Sequence, residues 1–300
     1  MEHTQKITPC LWFDSEAEEA IKFYTEAFSD SKILKVIRYG DYIPGNTGKK
    51  PGSVMSILFE IQGQEFLALN GGPAFKYSPA VSLFVNCSSE AEVNHLHEVL
   101  SAGGEDLMPL GKYPWSDRYA WTTDKYGLSW QINFKPMSQK VTPCLMLVGD
   151  NAGRTQEAIK FYESLFEKSS TEYVQHYGPE DNDLEEFVKH ASFYLDEFHF
   201  YAMDSGGPHQ FEFSPAISFI VNCKDQAEVD HFWKGLVTDG TPIHCGWLTD
   251  KFGIAWQVVP TVVAEFMGAE DSKKSDRVME TMVQMQKIEI APLKAAFENA

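Results

Sequence analysis

Five cysteines, a His-x-His pair and two matched aspartate turns are the side chains of this sequence whose types could do chemistry. A cysteine acts as a nucleophile only as a thiolate, which needs a nearby cation or a helix N-terminus to lower its pKa from about 8.5. Cys87 and Cys223 stand directly ahead of helix-starting patterns, so thiolate character is conceivable there, but small buried fillers are the reading the spacing favours. Cys10 and Cys144 recur on apolar strand-like segments, and none of the five forms a C-x-x-C pair of the kind a structural zinc site uses. Cys245 follows His244, yet adjacent strand residues face opposite ways, which weakens a Cys–His dyad. His95 and His97 lie two apart on a helical pattern and cannot share a metal. His97, matched by Trp233, is expected to pack; His95, matched by His231, is expected at the surface. Asp124 and Asp250 open D-K-[YF]-G turns, where an aspartate bonds the backbone two residues on and Gly127 or Gly253 supplies a positive φ. A structural role in setting the register of the last strand follows.

The composition narrows the classes. At 300 residues with a formal charge of −18, the chain is two domains long and repels phosphate backbones and anionic lipid. Nucleic acid and membrane surfaces are therefore not expected as partners. Hydrophobic residues at 43% are enough to build cores rather than a disordered chain. No apolar run reaches the roughly 18–20 residues of a transmembrane helix, and MEHTQKITPC has no apolar leader core, so a cytoplasmic location with reduced thiols is expected.

The elements that must position these residues are written twice. ITPCL (7–11) returns as VTPCL (141–145), EAIKFY (19–24) returns unchanged at 157–162, and SPAVSLFVNC (78–87) returns as SPAISFIVNC (214–223). TDKYGLSWQ (123–131) returns as TDKFGIAWQ (249–257), and Gly-Gly-Pro occurs at 71–73 and 206–208. Two homologous units follow, 1–137 and 138–262, joined by a short linker at 135–139, with a helical tail at 263–300. Strands are expected at 7–13, 33–39, 54–61, 65–69, 81–85, 119–122 and 128–134 of the first copy. Ser15-x-x-Glu18 and Ser89-x-x-Glu92 read as capping boxes opening its two helices. Each copy is thus two strand–helix–strands modules, an α+β arrangement with helices outside a curled, barrel-like sheet. The tail pattern predicts one helix over 275–289, a second opened by Pro292, and a solvated hinge at Lys273-Lys274.

These segments, with LNGGP (69–73), CGWLTDKFGIAWQVVP (245–260) and the tail stretch DRVMETMVQMQKIEIAPLKAAF, resemble the vicinal oxygen chelate (glyoxalase/bleomycin-resistance) superfamily. More narrowly, both copies resemble its PhnB-like branch of 3-demethylubiquinone-9 3-methyltransferase-type domains, over nearly the whole chain. The resemblance implies tandem glyoxalase-like domains. In superfamily enzymes it also implies a divalent metal held from the first strand, the fifth strand and a Glu on the last. Here those windows hold Thr8-Pro9-Cys10 or Thr142-Pro143-Cys144, Pro79-Ala80-Val81 or Pro215-Ala216-Ile217, and Gln131 or Gln257. A neutral amide is a weak ligand for such a cation, so no metal and no cofactor are expected. No G-x-G-x-x-G or glycine-rich strand-to-helix turn is present to hold a nucleotide-type methyl donor, so the methyltransferase name has no supporting motif.

In the fold the resemblance implies, Gln131 and Gln257 would project into the cavity, whereas Trp130 and Trp256 would turn outward to the helices. Trp12, Phe84, Trp121 and Trp247 are further candidates for lining or packing. The favoured expectation is a metal-free cavity that binds a small organic molecule, with no catalytic residue assigned. A metal-dependent lyase, isomerase or dioxygenase using unconventional ligands such as His176, Glu212 or Asp204 is the alternative. A structural pseudo-dimer without ligand is the third, and a homodimer of the whole chain is allowed.

Overall fold

The computed structural model describes residues 5–45 and 47–299. Four modules follow one another. The first is β1 (Ile7–Phe13), α1 (Ala17–Ala27), β2 (Ser31–Arg38), β3 (Val54–Ile61) and β4 (Gln64–Asn70). The second is β5 (Val81–Cys87), α2 (Glu90–Leu100), β6 (Glu105–Tyr113), β7 (Ser116–Thr123) and β8 (Ser129–Phe134). The third holds β9 (Val141–Leu147), α3 (Thr155–Glu163), β10 (Ser170–His176), β11 (Val188–Leu195) and β12 (Phe198–Asp204). The fourth holds β13 (Ile217–Cys223), α4 (Gln226–Leu236), β14 (Thr241–Pro242), β15 (Trp247–Thr249) and β16 (Ala255–Pro260). A tail of α5 (Val262–Met267), α6 (Ser272–Met282) and α7 (Ile290–Glu298) closes the chain. Among the described residues no helix is long and apolar enough to cross a membrane.

The α+β class is as the pattern predicts, and the modules pair across the repeats. The first sheet runs β14-β15-β16-β13-β1-β4-β3-β2, and the second runs β10-β11-β12-β9-β5-β8-β7-β6. Each therefore takes one module from each copy, joined by antiparallel ladders between β1 and β13 and between β5 and β9. The segments at 71–80 and 205–216 carry the chain from one sheet to the other. They run side by side: the Ser78 hydroxyl donates to the Glu212 carbonyl at 2.5 Å and the Ser214 hydroxyl to the Lys76 carbonyl at 2.6 Å. The repeated Ser-Pro-Ala is thus the crossing point of the two copies.

Period-two alternation sorts each strand into two faces. Ile7, Leu11, Phe13, Phe66, Ala68, Phe219, Val221, Trp256 and Val258 face the helices in one continuous core that spans both sheets. Trp130 and Trp256 lie in it, fully buried, on the helix side as expected. Buried carboxylates tie the modules together. Asp124 accepts from the Tyr126 and Leu128 amides with one oxygen, at 2.9 and 3.1 Å. Its other oxygen accepts from the Tyr24 hydroxyl at 2.7 Å and the Trp130 indole at 2.8 Å. Asp250 repeats the set with Phe252, Ile254, Tyr162 and Trp256. Burial raises both carboxyls above the ordinary range while the four donors act against that rise.

Local expectations were met unevenly. Ser89 and Glu92 form the capping box, the Ser89 hydroxyl taking the Glu92 amide at 3.2 Å and Glu92 taking the Ser88 amide at 2.8 Å. Ser15 caps nothing; Asn70, at the end of β4, accepts the Ala17 amide at 2.9 Å instead. The β6 strand falls in a segment that its Pro109 and Gly111 disguise as loop. His97 pairs with Asp106 at 2.9 Å rather than packing, and His95 is exposed. The tail helices are displaced from the 275–289 reading: Lys273 and Lys274 open α6 instead of forming a hinge, and Pro292 sits inside the first turn of α7.

Two predictions follow from this architecture. In Asp124→Asn an amide replaces the acceptor of the Trp130 N–H, which then has no partner in the core. Thermal unfolding will show a loss of about 1–3 kcal/mol, and an unchanged melting temperature would show that the carboxylate is not the tie described. Residues 1–137 expressed alone present unpaired β1 and β5 edges. Size-exclusion chromatography will find them self-associated, and mixing with 138–300 will restore a 1:1 particle of the parent size.

Candidate functional site

The inner face of each sheet has the same base. On the second sheet, Gln131 of β8 donates to the Ser82 hydroxyl at 2.8 Å and its carbonyl oxygen accepts from the Tyr119 hydroxyl at 2.6 Å. Cys144 lies against both Gln131 and Ser82. On the first sheet, Gln257 donates to Ser218 at 2.9 Å, with Cys10 against both. The fifth-strand residue of each set is thus Ser82 or Ser218, just beyond the windows singled out from the sequence. Burial pushes the Cys10 and Cys144 thiols up to about 12. A protonated thiol, a hydroxyl and a hydrogen-bonded amide do not fit a divalent cation, which takes carboxylate, imidazole or thiolate donors. Among the described residues no group of three or more His, Cys, Asp or Glu side chains converges on a point. His176, Glu212 and Asp204 are not brought together. Asp204 accepts from the Gly153, Thr155 and Val188 amides and the Thr155 hydroxyl, which makes it the cap of α3.

All six residues singled out as lining candidates lie on these inner faces. Gln131, Phe84 and Trp121 belong to the second sheet, and Gln257, Trp12 and Trp247 to the first. The Trp12 ring stands 4.9 Å from Phe75 and 5.8 Å from Trp247, edge to face in both cases. Its indole donates to the Gly72 carbonyl at 2.7 Å and lies so close over Gly71 that a Cβ there would meet the ring at 2.1 Å. That close approach is what the first Gly-Gly-Pro turn is for. Trp121 donates to the Ser129 hydroxyl at 2.7 Å. Cys87 and Cys223 are buried, with thiols also pushed up to about 12, and so are fillers rather than nucleophiles.

Beyond the shared base the two faces diverge. Where β3 and β4 present Ser56, Leu58, Glu65 and Leu67, the matching positions of β11 and β12 are His190, Ser192, His199 and Tyr201. Ser192 donates to Glu172 at 2.6 Å and lies 2.7 Å from the His199 Nε2. With the serine proton committed to the carboxylate, His199 donates from Nε2 and is a neutral imidazole. The Tyr173 hydroxyl meets the His190 Nδ1 at 2.9 Å, and the His190 Nε2 makes no hydrogen bond among the described residues. Burial holds both histidines down to about 4. The Tyr201 ring lies 5.0 Å from Phe84, 4.8 Å from His190 and 4.7 Å from His199. Its hydroxyl is buried and has no hydrogen-bond partner among the described residues. Phe84, Tyr119, Cys144 and Tyr201 form the floor, with half-buried Met108, Tyr113, Trp121 and Met203 packed against it.

The histidines and Tyr201 were missed in the sequence because each looks like one polar residue in a strand. The signal was there in H-x-S-x-Y (190–194) followed by H-x-Y (199–201), a period of two that puts all five on one face. Two open grooves lie away from this face of the second sheet. One of about 560 Å³ is lined by Asp14, Thr47 and Lys49, and one of about 620 Å³ by Trp12, Phe75, Tyr77 and Tyr126. In the second, Lys125 is paired with Glu19 at 2.8 Å.

A curled sheet with helices outside and paired modules is the glyoxalase-type fold. Glyoxalase I from Zea mays superposes with a TM-score of 0.57 at 13% identity, over 91% of this chain and 93% of that one, which shows the fold. The family model for 3-demethylubiquinone-9 3-methyltransferase matches residues 5–133 and again 139–259, and the chain belongs to that family. A PhnB protein of this type from Bacillus cereus is 41% identical over 43% of this chain and 99% of its own, with a TM-score of 0.39. A protein from Pseudomonas aeruginosa is 25% identical over 44% of this chain and 98% of its own, with a TM-score of 0.38. No curated protein matches.

The imidazoles supply a pH test. Their folded pKa lies below the ordinary 6.5, so the contribution they make to stability is complete above about pH 6.5 and is lost as pH falls toward 4. Imidazole chemical shifts will show His190 and His199 titrating near pH 4. Titration of both near 6.5 would contradict the burial described.

Proposed function

We propose that this chain binds an uncharged, planar organic molecule on the inner face of the second sheet, without a metal ion. The observation that carries the reading is the Tyr201 hydroxyl, buried without a partner among aromatic rings and neutral imidazoles. A buried hydroxyl left unpaired costs about 1–3 kcal/mol, and a ligand oxygen would recover it. The His190 Nε2 supplies a second polar contact, while Phe84, Trp121, Tyr113, Met108 and Met203 offer flat and polarizable surface. The neutrality of both histidines and the engaged Glu172 favour a ligand without formal charge. The family name speaks of methyl transfer. No glycine-rich strand-to-helix turn in this sequence answers to a nucleotide-type methyl donor, so binding is the reading proposed here. The location proposed is the cytoplasm, in keeping with the buried, unpaired thiols.

Nile red, an uncharged planar dye with a carbonyl acceptor, is the probe. Fluorescence titration will give one dye per chain, with affinity about tenfold weaker in Tyr201→Phe and in His190→Phe and unchanged in Trp247→Phe. Mass spectrometry after soaking in Mn²⁺, Fe²⁺, Ni²⁺ and Zn²⁺ will find no stoichiometric metal. Retained metal, or binding indifferent to Tyr201 and His190, would overturn the reading.

A further inference from the structure

The two sheets are covered by different means. In the first copy the β6–β7 hairpin is long and belongs to the second sheet, with Tyr113 stacked on Trp115 at 5.1 Å near its tip. The equivalent hairpin of the second copy belongs to the first sheet and is cut down to β14 and β15. The tail stands in its place. The shortened turn receives it: the Cys245 and Gly246 amides donate to the Met285 and Gln286 carbonyls at 2.8 and 2.7 Å. Cys245 holds φ +59 and Gly246 φ +81 to do so, a left-handed conformation that is costly for a cysteine. A Cβ on Gly246 would come within 3.0 Å of the Ile288 side chain.

The tail also reaches the opposite end of the same sheet. Lys35 of β2 donates to the Ala264 carbonyl at 3.2 Å, and the Asp41 amide donates to the Asp276 carboxylate at 3.0 Å. Since β14 and β2 are the two edges of the first sheet, α5–α7 bridge the open side of its curl. The tail holds itself together through its own cluster of Val263, Phe266, Val278, Met282, Ile288 and Leu293, which shares no residue with the main core. On the inner face between those two edges stand the half-buried aromatic trio of Trp12, Phe75 and Trp247 and the Cys10–Ser218–Gln257 base. The matching face of the second sheet is lined by side chains of its own strands.

We propose that the tail is this chain's own occupant of the mouth of the first sheet, and that its release extends the groove bordered by Trp12 and Phe75 to take in Trp247, completing a second site for uncharged aromatic molecules on these three rings. Intact, the chain then carries one ligand site rather than the two its repeat suggests. The count of one rests on the binding reading for the second sheet; the completion of a site on the first does not.

The test uses the full chain with Ile288→Glu and Leu293→Glu, both buried in the tail's separate cluster and absent from the main core. Nile red titration is expected to rise from one dye per chain to two, and Trp247→Ala in that background to remove the added one. A variant with native circular dichroism that gains no dye would overturn the proposal. A chain that binds none when intact and gains one Trp247-dependent dye on release would uphold it while overturning the reading of the second sheet. Hydrogen exchange on the unaltered chain reads the same release without a substitution. Amides of α6 and α7 are expected to exchange at least tenfold faster than those of β1 and β13. Equal protection would mean that the tail opens only with global unfolding, and the proposal would fall.

Discussion

Everything in this fold hangs on two buried carboxylates, Asp124 and Asp250, each accepting four hydrogen bonds. Each ties a helix of one sheet to the last strand of the other: Tyr24 of α1 belongs to the first sheet's module, Trp130 of β8 to the second sheet. A charge at this depth is tolerable only when every lone pair is engaged, because desolvation of an unpaired carboxylate exceeds what a domain has in net stability. The aspartate therefore demands the tyrosine, the indole and the tight turn together. That is why TDK[YF]G and the trailing tryptophan recur as a unit in both copies.

Once modules of different sheets are locked this way, the sheets no longer need to be alike. Each inner face combines one module from each copy, so substitutions in β11 and β12 alter only the second sheet, and shortening of the β14–β15 hairpin alters only the first. The chain has used that freedom in both directions. One face carries imidazoles and a phenol; the other has a shortened hairpin with the tail helices packed against its turn. A dimer of identical single repeats would have to make every such change twice, at both sites at once. A tandem chain escapes that constraint of symmetry.

The sequence made most elements legible because repetition doubled every signal. The strands at 7–13 and 54–61 and the Ser89 cap were readable from short apolar runs and capping chemistry alone. The inward turn of Gln131 and Gln257 and the outward turn of Trp130 and Trp256 came from the family likeness together with strand alternation. What escaped had physical reasons. Ser15 resembles a cap, but Asn70 reaches the same amide from a strand that is distant in sequence, and local pattern cannot weigh a long-range competitor. The β6 strand carries Pro109 and Gly111, tolerated because it is an edge and its pairing with β7 is bulged. The exchange of modules between sheets was invisible in principle, since β5 and β13 are near-copies and the pattern of β1 does not say which of them it pairs with. Only the ten-residue stretch ending in Ser-Pro-Ala, and its reciprocal hydrogen bonds, decides between them.

The candidate site shows the same tension between a shared base and divergent walls. The Cys–Ser–Gln base is spent on its own hydrogen bonds in both sheets, so it distinguishes nothing between them. The walls carry the difference, and their polarity is deliberate in a physical sense. Where the first sheet has the half-buried Leu58, the second has Ser192, which gives up apolar contact; where it has the half-buried Leu67, the second has Tyr201, whose ring keeps apolar area and adds a hydroxyl. Ser192 recovers part of this by joining Glu172 to His199. The cost at Tyr201 lies in its hydroxyl, which is buried and meets no donor or acceptor among the described residues. A core built for stability alone would carry a side chain without a polar atom there, as the first sheet does with Leu67. The unpaired phenol is therefore the point at which the packing of the second sheet departs from what folding requires.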